Sequence, residues 1–256
     1  MSEEQNVFFG INPVLEKLRA SPKDIEEILI GEGASAPAVR GVELQARRLG
    51  VRVKYVPAKK LDRLAGRQRH QGVAAKVCAF SYLSLDDLLA AIPSLSGLVW
   101  ILILDSLTDP RNFGALLRTA ESVGIQHVII PKDRSVAVTP TVIKASAGAV
   151  HHLKVYRTTN LRRAILSLKE LGFWIVGLDA QAAETIYSRV YPQHLGVLLG
   201  SEGGGIRPLL LKECDYRVSI PMLGQVSSLN VSVAAAIFFY ELVRQGGCID
   251  KAELKR

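Results

Sequence analysis

Polar side chains able to orient reactants collect in three stretches of this 256-residue chain, and none of the three contains a His or Cys. The first, "LDSLTDPRNFGALLRTAESVG", holds Asn112, Gly114 and Arg118. The second, "GVLLGSEGGGI", places Glu202 among glycines. The third, "VSIPMLGQVSSLNVSVAAA", carries Ser227, Ser228, Asn230 and Ser232 at the head of an otherwise apolar segment. Amide, hydroxyl, carboxylate and guanidinium groups without a strong nucleophile fit a site that positions substrates and stabilises charge. Each stretch also has a plain structural reading. Asn112 can cap a helix with Arg118 on its surface, and Ser227 or Ser228 can cap the last helix. The glycines can form a turn. Capping accounts for one serine, however, and leaves Ser228, Asn230 and Ser232 to be explained together. Gly114 in a first helical turn costs about 1 kcal/mol relative to Ala and admits a close neighbour. Five glycines from Gly196 to Gly205 allow the backbone itself to face a ligand.

The elements that must carry these stretches alternate along the chain. From Leu98 onward, "LVWILIL", "HVIIP", "LKVYR", "FWIVGL", "GVLLG" and "YRVSIP" read as strands. Helices fall between them, notably Phe113–Val123 and Asn160–Leu171, and a closing helix starts near Ser228. Near-continuous apolar strands separated by helices predict a mostly parallel sheet covered on both faces. Ligands of such sheets sit outside the carboxyl ends of strands, where all three polar stretches fall. The first 80 residues form a smaller α/β module. It has helices at Pro13–Ala20 and Arg40–Leu49, and strands at "EEILI", "VRVKYV" and "GVAAKVCAF". Residues 1–80 are therefore one domain, 81–97 a linker with one short helix, 98–247 a second domain and 248–256 a tail.

Composition narrows the partners. The chain is 48% hydrophobic, enough for a core, and carries a net charge of +8. A basic surplus favours an anionic partner such as nucleic acid. Within residues 59–69, Lys59, Lys60, Arg63, Arg67 and Arg69 meet only Asp62, which is either a phosphate-contacting patch or a solvated face. The longest apolar runs fall far short of the ~20 residues of a membrane span. The start, "MSEEQNVFFG", lacks the basic-then-apolar pattern of a secretory signal, so a cytoplasmic protein is expected. Cys78, Cys214 and Cys248 show no metal-like spacing and read as reduced thiols, and no metal is expected. "GEGASA", Gly31 to Ala36, matches a dinucleotide fingerprint, but the next strand supplies Lys54 where an acid is needed, so a turn is expected.

The stretches "DPRNFGALLRTAESVG", "LLGSEGGGI" and "IPMLGQVSSLNVSVAAAI" together resemble the three motifs of the SpoU (TrmH) class of SPOUT methyltransferases, in order and at family spacing. The amino-terminal "FFGINPVLEKL" and "RHQGVAAKV" are similar to the substrate-binding domain of the RlmB-type 23S rRNA guanosine methyltransferases. The resemblance implies an α/β SPOUT domain with a deep trefoil knot, preceded by an L30e-like RNA-binding domain. It implies S-adenosylmethionine as cofactor, an rRNA ribose 2′-hydroxyl as substrate, and a homodimer. By motif match, Gly200, Ile220 and Leu229 would hold the cofactor through backbone groups, with Met222 and Leu223 around the adenine. Asn112, Arg118, Glu202, Ser228 and Asn230 would be the catalytic side chains. The family scheme makes Arg118 the base. A guanidinium with a pKa above ~12 and no acceptor atom suits a phosphate clamp or oxyanion stabiliser better. A tRNA or other-rRNA ribose methyltransferase, and an RNA-binding protein without catalysis, are the alternatives.

Overall fold

The computed structural model describes residues 7–246 apart from 21, 67, 78–79 and 227, so Arg67, Ser227, Cys78, Cys248 and the 248–256 tail lie outside the described residues. The chain divides into two compact units at Phe80/Ser81.

In the first unit, β1 (Val7–Phe9), β2 (Ile25–Gly31), β3 (Val53–Val56) and β4 (Val73–Val77) form one sheet in the order β1-β4-β2-β3. Only the β2–β3 pair is parallel. Helices α1 (Ile11–Ala20) and α2 (Pro37–Arg48) bury Val14, Leu18, Val39, Val42 and Ala46 against Ile28, Ile30, Val73 and Ala75. Helix α3 (Ala58–Ala65) buries Leu61 with Leu29, Val56 and Ala74, which alternate with that first set and so lie on the opposite sheet face. "GEGASA" is a turn in which Ala34 N donates to Gly31 O (3.0 Å) and Gly33 has φ +83°, feeding α2 with Pro37 in its first turn. The segments "FFGIN" and "RHQGV" are joined. Gly10 N donates to Val73 O (3.1 Å) and Ile11 N to Gln71 Oε1 (3.1 Å).

The second unit is built on eight strands, in the order β10-β12-β9-β11-β6-β7-β8-β5. They are β5 (Leu83–Ser84), β6 (Val99–Leu104), β7 (His127–Pro131), β8 (Lys154–Thr158), β9 (Trp174–Leu178), β10 (Glu184–Thr185), β11 (His194–Leu199) and β12 (Tyr216–Ser219). Every pairing is parallel. On one face α4 (Leu85–Ala91) and α7 (Leu161–Glu170) cover Val99, Ile101, Ile103, Ile129 and Ile175. The alternate residues Leu102, Leu104, Val128 and Ile130 are equally buried. The three helices α5 (Pro110–Ser122), α6 (Pro140–Ala145) and α9 (Val231–Gln245) lie outside that cluster, with α5 packed on both others. Six buried residues in a row in β6 reflect burial on both faces.

Residues 81–97 are not a linker. β5 pairs with β8 as the sheet's edge strand, and Leu85, Leu88 and Ile92 enter the core. The short helix of this segment ends at a proline: Pro93 sits in a 3-10 turn, Ile92–Ser94, directly after α4. Strands β1, β5 and β10 and helices α6 and α8 (Pro208–Leu211) have no periodic signal, being only two to six residues long.

His127 begins β7 and is 3% exposed, with Nδ1 2.9 Å from the Tyr156 hydroxyl. Burial, then the charge of Lys154, pulls its pKa down to about 4, and burial pushes Tyr156 up to about 12. Between the ordinary histidine value of 6.5 and about 4 the unfolded chain binds a proton that the folded chain excludes. His127 therefore costs stability progressively as pH falls through that window. His127→Gln retains a partner for the tyrosine hydroxyl and should flatten the decline of melting temperature across it. Calorimetric melts at stepped pH measure this; an unchanged slope would assign the decline to other groups.

Candidate functional site

Three loops leave the carboxyl edge of the parallel sheet and meet there. The loop after β6 turns at Asp105, and Ser106 adopts a left-handed conformation (φ +59°). Helix α5 then starts at Pro110, and its cap is Asp109, whose Oδ2 accepts from Asn112 N at 2.7 Å. The cap is thus Asp109 and not Asn112, the residue the sequence suggests. Proline's fixed φ suits the first helical position, which makes the residue before it the cap and moves Asn112 to the third position of the helix. Its side chain is thereby free to reach outward. Gly114 serves a helix crossing: a Cβ there would overlap Ala145 Cβ and lie 2.9 Å from Val142 O of α6.

The loop after β11 doubles back on itself. Ser201 and Gly205 exchange both backbone hydrogen bonds (3.1 and 2.9 Å), with Gly203 and Gly205 at positive φ. A Cβ on Gly200 would overlap the Gly205 carbonyl, so only glycine fits.

The loop after β12 leads into α9, whose cap is Asn230 and not a serine. Asn230 Oδ1 accepts from Ser232 N (3.0 Å) and Ser232 Oγ (2.6 Å). Ser232 N is a donor, so this bond fixes the amide's orientation. The Nδ2 group must then face the other way, where it donates to Asn112 Oδ1 (3.0 Å) and to Glu202 Oε1. One side chain therefore ties all three loops together. Asn112 spends its oxygen on this bond and keeps its NH₂ as a donor.

Beside this network lies a cavity of about 430 Å³ lined from the ends of β9, β11 and β12 and the start of α9. Gly200, Glu202, Ile220, Met222, Ser228 and Leu229 all line it. Leu223 does not: it is fully exposed, although its neighbour Met222 lines the cavity. Arg118 does not line it either. It lies on the exposed face of α5, and no hydrogen bond or ion pair holds it among the described residues. Arg111, two turns earlier on the same face, is equally exposed; that seven-residue spacing is the signal available for it. Asp179, immediately after β9, also lines the cavity, as the strand-end rule allows. Among the described lining residues Asp179 and Glu202 alone are ionisable, and both are acidic. The cavity thus joins apolar walls of Leu178, Ile220, Met222 and Leu229 to exposed backbone and two carboxylates. That surface suits an amphipathic, cationic ligand of nucleoside size.

Cys214, the cysteine among the described residues, does not line the cavity. Burial pushes the Cys214 thiol up to about 12, and its sulfur donates to Leu210 O. Among the described residues no three of His, Cys, Asp and Glu group so as to hold a metal. No described helix is long and apolar enough to cross a membrane. In the first unit, Lys59, Lys60 and Arg63 project from the exposed face of α3, and Arg69 is exposed beyond it. That turn is fixed by His70, which accepts from Gly72 N (3.0 Å) and reaches Asp62 Oδ1 (2.9 Å).

Comparison with known proteins gives consistent matches. The profile of the SpoU rRNA Methylase family matches residues 100–240, and that of RNA 2′-O ribose methyltransferase substrate binding matches residues 7–83. A Bacillus subtilis (strain 168) protein, YacO, assigned by name to the TrmH family of tRNA/rRNA methyltransferases, is 41% identical over 96% of this chain and 98% of its own length. The 23S rRNA (guanosine-2′-O-)-methyltransferase RlmB of Xanthomonas campestris is 40% identical over the same shares. The crystal structure of the SpoU methyltransferase AviRb from Streptomyces viridochromogenes, in complex with AdoMet, shares the fold. Its TM-score is 0.64 at 24% identity, covering 93% of this chain and 89% of that one.

Removing the hub should separate its two roles. Asn230→Ala should cost about 1–2 kcal/mol in urea unfolding, from the lost cap and the unpaired partners. Asn230→Asp keeps a good cap but sets a carboxylate against Glu202, so it should recover helix stability at low pH and lose it near neutrality. Equal stability of wild type and both variants across pH would show that the amide carries no structural load.

Proposed function

The chain belongs to the SpoU (TrmH) family of RNA 2′-O-ribose methyltransferases, and on that premise we propose that it methylates a guanosine ribose in a loop of 23S rRNA, with S-adenosylmethionine as donor and the peptidyl-transferase P loop as target. The observation that carries this reading is the acidic, glycine-walled cavity opening beside Asn112, Glu202 and Asn230 at the sheet's carboxyl edge. A relative at 40% identity is named as a 23S rRNA guanosine methyltransferase, which supports the target class.

Gly200, Ile220 and Leu229 hold the cofactor through backbone groups, with Met222 against its apolar part and the carboxylates favouring its positive charge. The bound cofactor supplies an electrophilic methyl group. The chain supplies position and field. The Asn112 amide and the Ser228 hydroxyl orient the ribose, Glu202 anchors Asn230, and Arg118 clamps the adjacent phosphate or the developing oxyanion. Loop nucleotides fit this chemistry, because an unpaired ribose can be splayed into a pocket. The loops at 200–206 and 220–230 form the knotted crossing of the family. The first unit, L30e-like, binds the RNA through Lys59, Lys60, Arg63, Arg67 and Arg69. The protein acts as a cytoplasmic homodimer. Val233 and Tyr240, two turns apart on α9 and 47% and 57% exposed, offer an apolar face for the second subunit.

Calorimetry should detect S-adenosylmethionine binding. Incubation with 23S rRNA, small-subunit rRNA and tRNA should yield 2′-O-methylguanosine from 23S rRNA, resolved by nucleoside mass spectrometry. Methylation confined to tRNA, or found on a base, defeats the target. Absence of cofactor binding would favour the non-catalytic RNA-binding protein. Arg118→Ala should lower turnover about 10²–10³-fold with cofactor affinity unchanged; full activity in Arg118→Lys would show that the planar fork is dispensable.

Replacing Lys59, Lys60, Arg63 and Arg69 together by Ala should weaken RNA binding and make log Kd less steep in log salt. An unchanged salt slope would reduce that face to solvated surface.

A further inference from the structure

We propose that Asp105, with Arg207, is the positioning pair that holds the glycine loop in its cofactor-accepting shape; this rests on the assignment of the cavity to S-adenosylmethionine. Neither residue is a cofactor-binding or catalytic candidate, and neither lines the cavity. Asp105 follows β6 at the point where the strand order reverses, β7 lying on one side of β6 and β11 on the other. Its backbone N–H donates to Leu199 O at 2.8 Å, extending the β6–β11 ladder by one residue. Its side chain then grips the far end of the same loop. Oδ2 accepts from Arg207 N (2.9 Å), and Oδ1 accepts from Arg207 Nε (2.8 Å) and Ser106 Oγ (3.0 Å), with an Arg207 terminal nitrogen also 2.8 Å away.

A single residue therefore fixes both the entry and the exit of the segment Gly200–Ile206, and every residue of that segment lines the cavity. The internal bridge between Ser201 and Gly205 closes the turn but does not fix where it stands relative to the sheet. That placement comes from Asp105. Its carboxylate is fully buried, while the Arg207 side chain is 48% exposed. A buried carboxylate must keep its partners, which makes the contact rigid and directional. Ser106, directly after it, is left-handed (φ +59°), and the Asp105 carboxylate reaches Arg207, 102 residues along the chain.

A displacement of loop backbone by about an ångström is enough to weaken a preorganised site strongly. Asp105→Asn keeps an acceptor for Arg207 N and loses the ion pair; Asp105→Ala loses both. The full-length protein and both variants are compared at 25 °C, with folding verified by circular dichroism. S-adenosylmethionine affinity is read by calorimetry, and KM for cofactor and kcat by methylation of 23S rRNA. The expected order of affinity is wild type, Asp105→Asn, Asp105→Ala, with about tenfold or more between the extremes. KM for cofactor should rise more than kcat falls. Should Asp105→Ala not fold, Arg207→Ala takes its place, keeping the backbone donor, with an expected weakening of several-fold. A folded variant lacking the side-chain contact yet binding with wild-type affinity overturns the proposal, because a purely structural role lowers melting temperature without moving cofactor affinity. Wild type failing to bind would instead defeat the cofactor assignment.

Discussion

The amide of Asn230 has one oxygen, and the first turn of α9 claims it. With Ser232 N and Oγ as donors to that oxygen, the NH₂ group has no freedom of direction. It must face Asn112 and Glu202. A helix cap, a local requirement of backbone chemistry, thus sets the polarity of a network that spans three loops. Each loop comes from a different part of the chain, and the donor–acceptor order along it is fixed at one end.

The sheet makes that meeting possible. Eight parallel strands place every strand-to-helix loop on one edge, and the cavity lies along that edge at the ends of β9, β11 and β12. The apolar ladder is buried on both faces, so polar groups collect at the edge. Asp105 and Asn112 approach from β6, Glu202 from β11, and Asn230 from beyond β12. The carboxylates find donors, the glycines let backbone come close, and the basic charge of the chain stays off the cavity walls. A net charge of +8 and an acidic cavity coexist because they serve ligands of opposite sign.

Glycine does different work in two of these loops. At Gly114 the missing Cβ lets α5 and α6 touch, which seats the helix bearing Asn112 and Arg118. At Gly200 it lets the loop fold back onto its own Gly205. The first neighbour is a helix remote in sequence and the second is five residues away; the sequence marks both glycines as sites of close approach without saying what approaches.

The long strands and the helices α1, α2, α5, α7 and α9 are legible in the sequence, because their periodicities are strong enough to survive end effects. The three polar stretches stand out because cap and turn chemistry does not use up all their polar groups. Periodicity cannot reach elements of two to six residues, such as β5 and α6, which exist only because a neighbour pairs or packs with them. The expectation of a linker at 81–97 fails for that reason: Leu85, Leu88 and Ile92 look ordinary in a short helix, and only the sheet beside them makes them core. The caps shift because Pro110 and the helix start at Val231 decide which neighbour is outside the helix. Asp105 lies in the first polar stretch and Arg207 lies 102 residues further on, and nothing local pairs the two. Which residue types stand at strand ends can be read from the chain alone. The tertiary structure decided which of them meet, because strand order, and not chain order, sets who is next to whom.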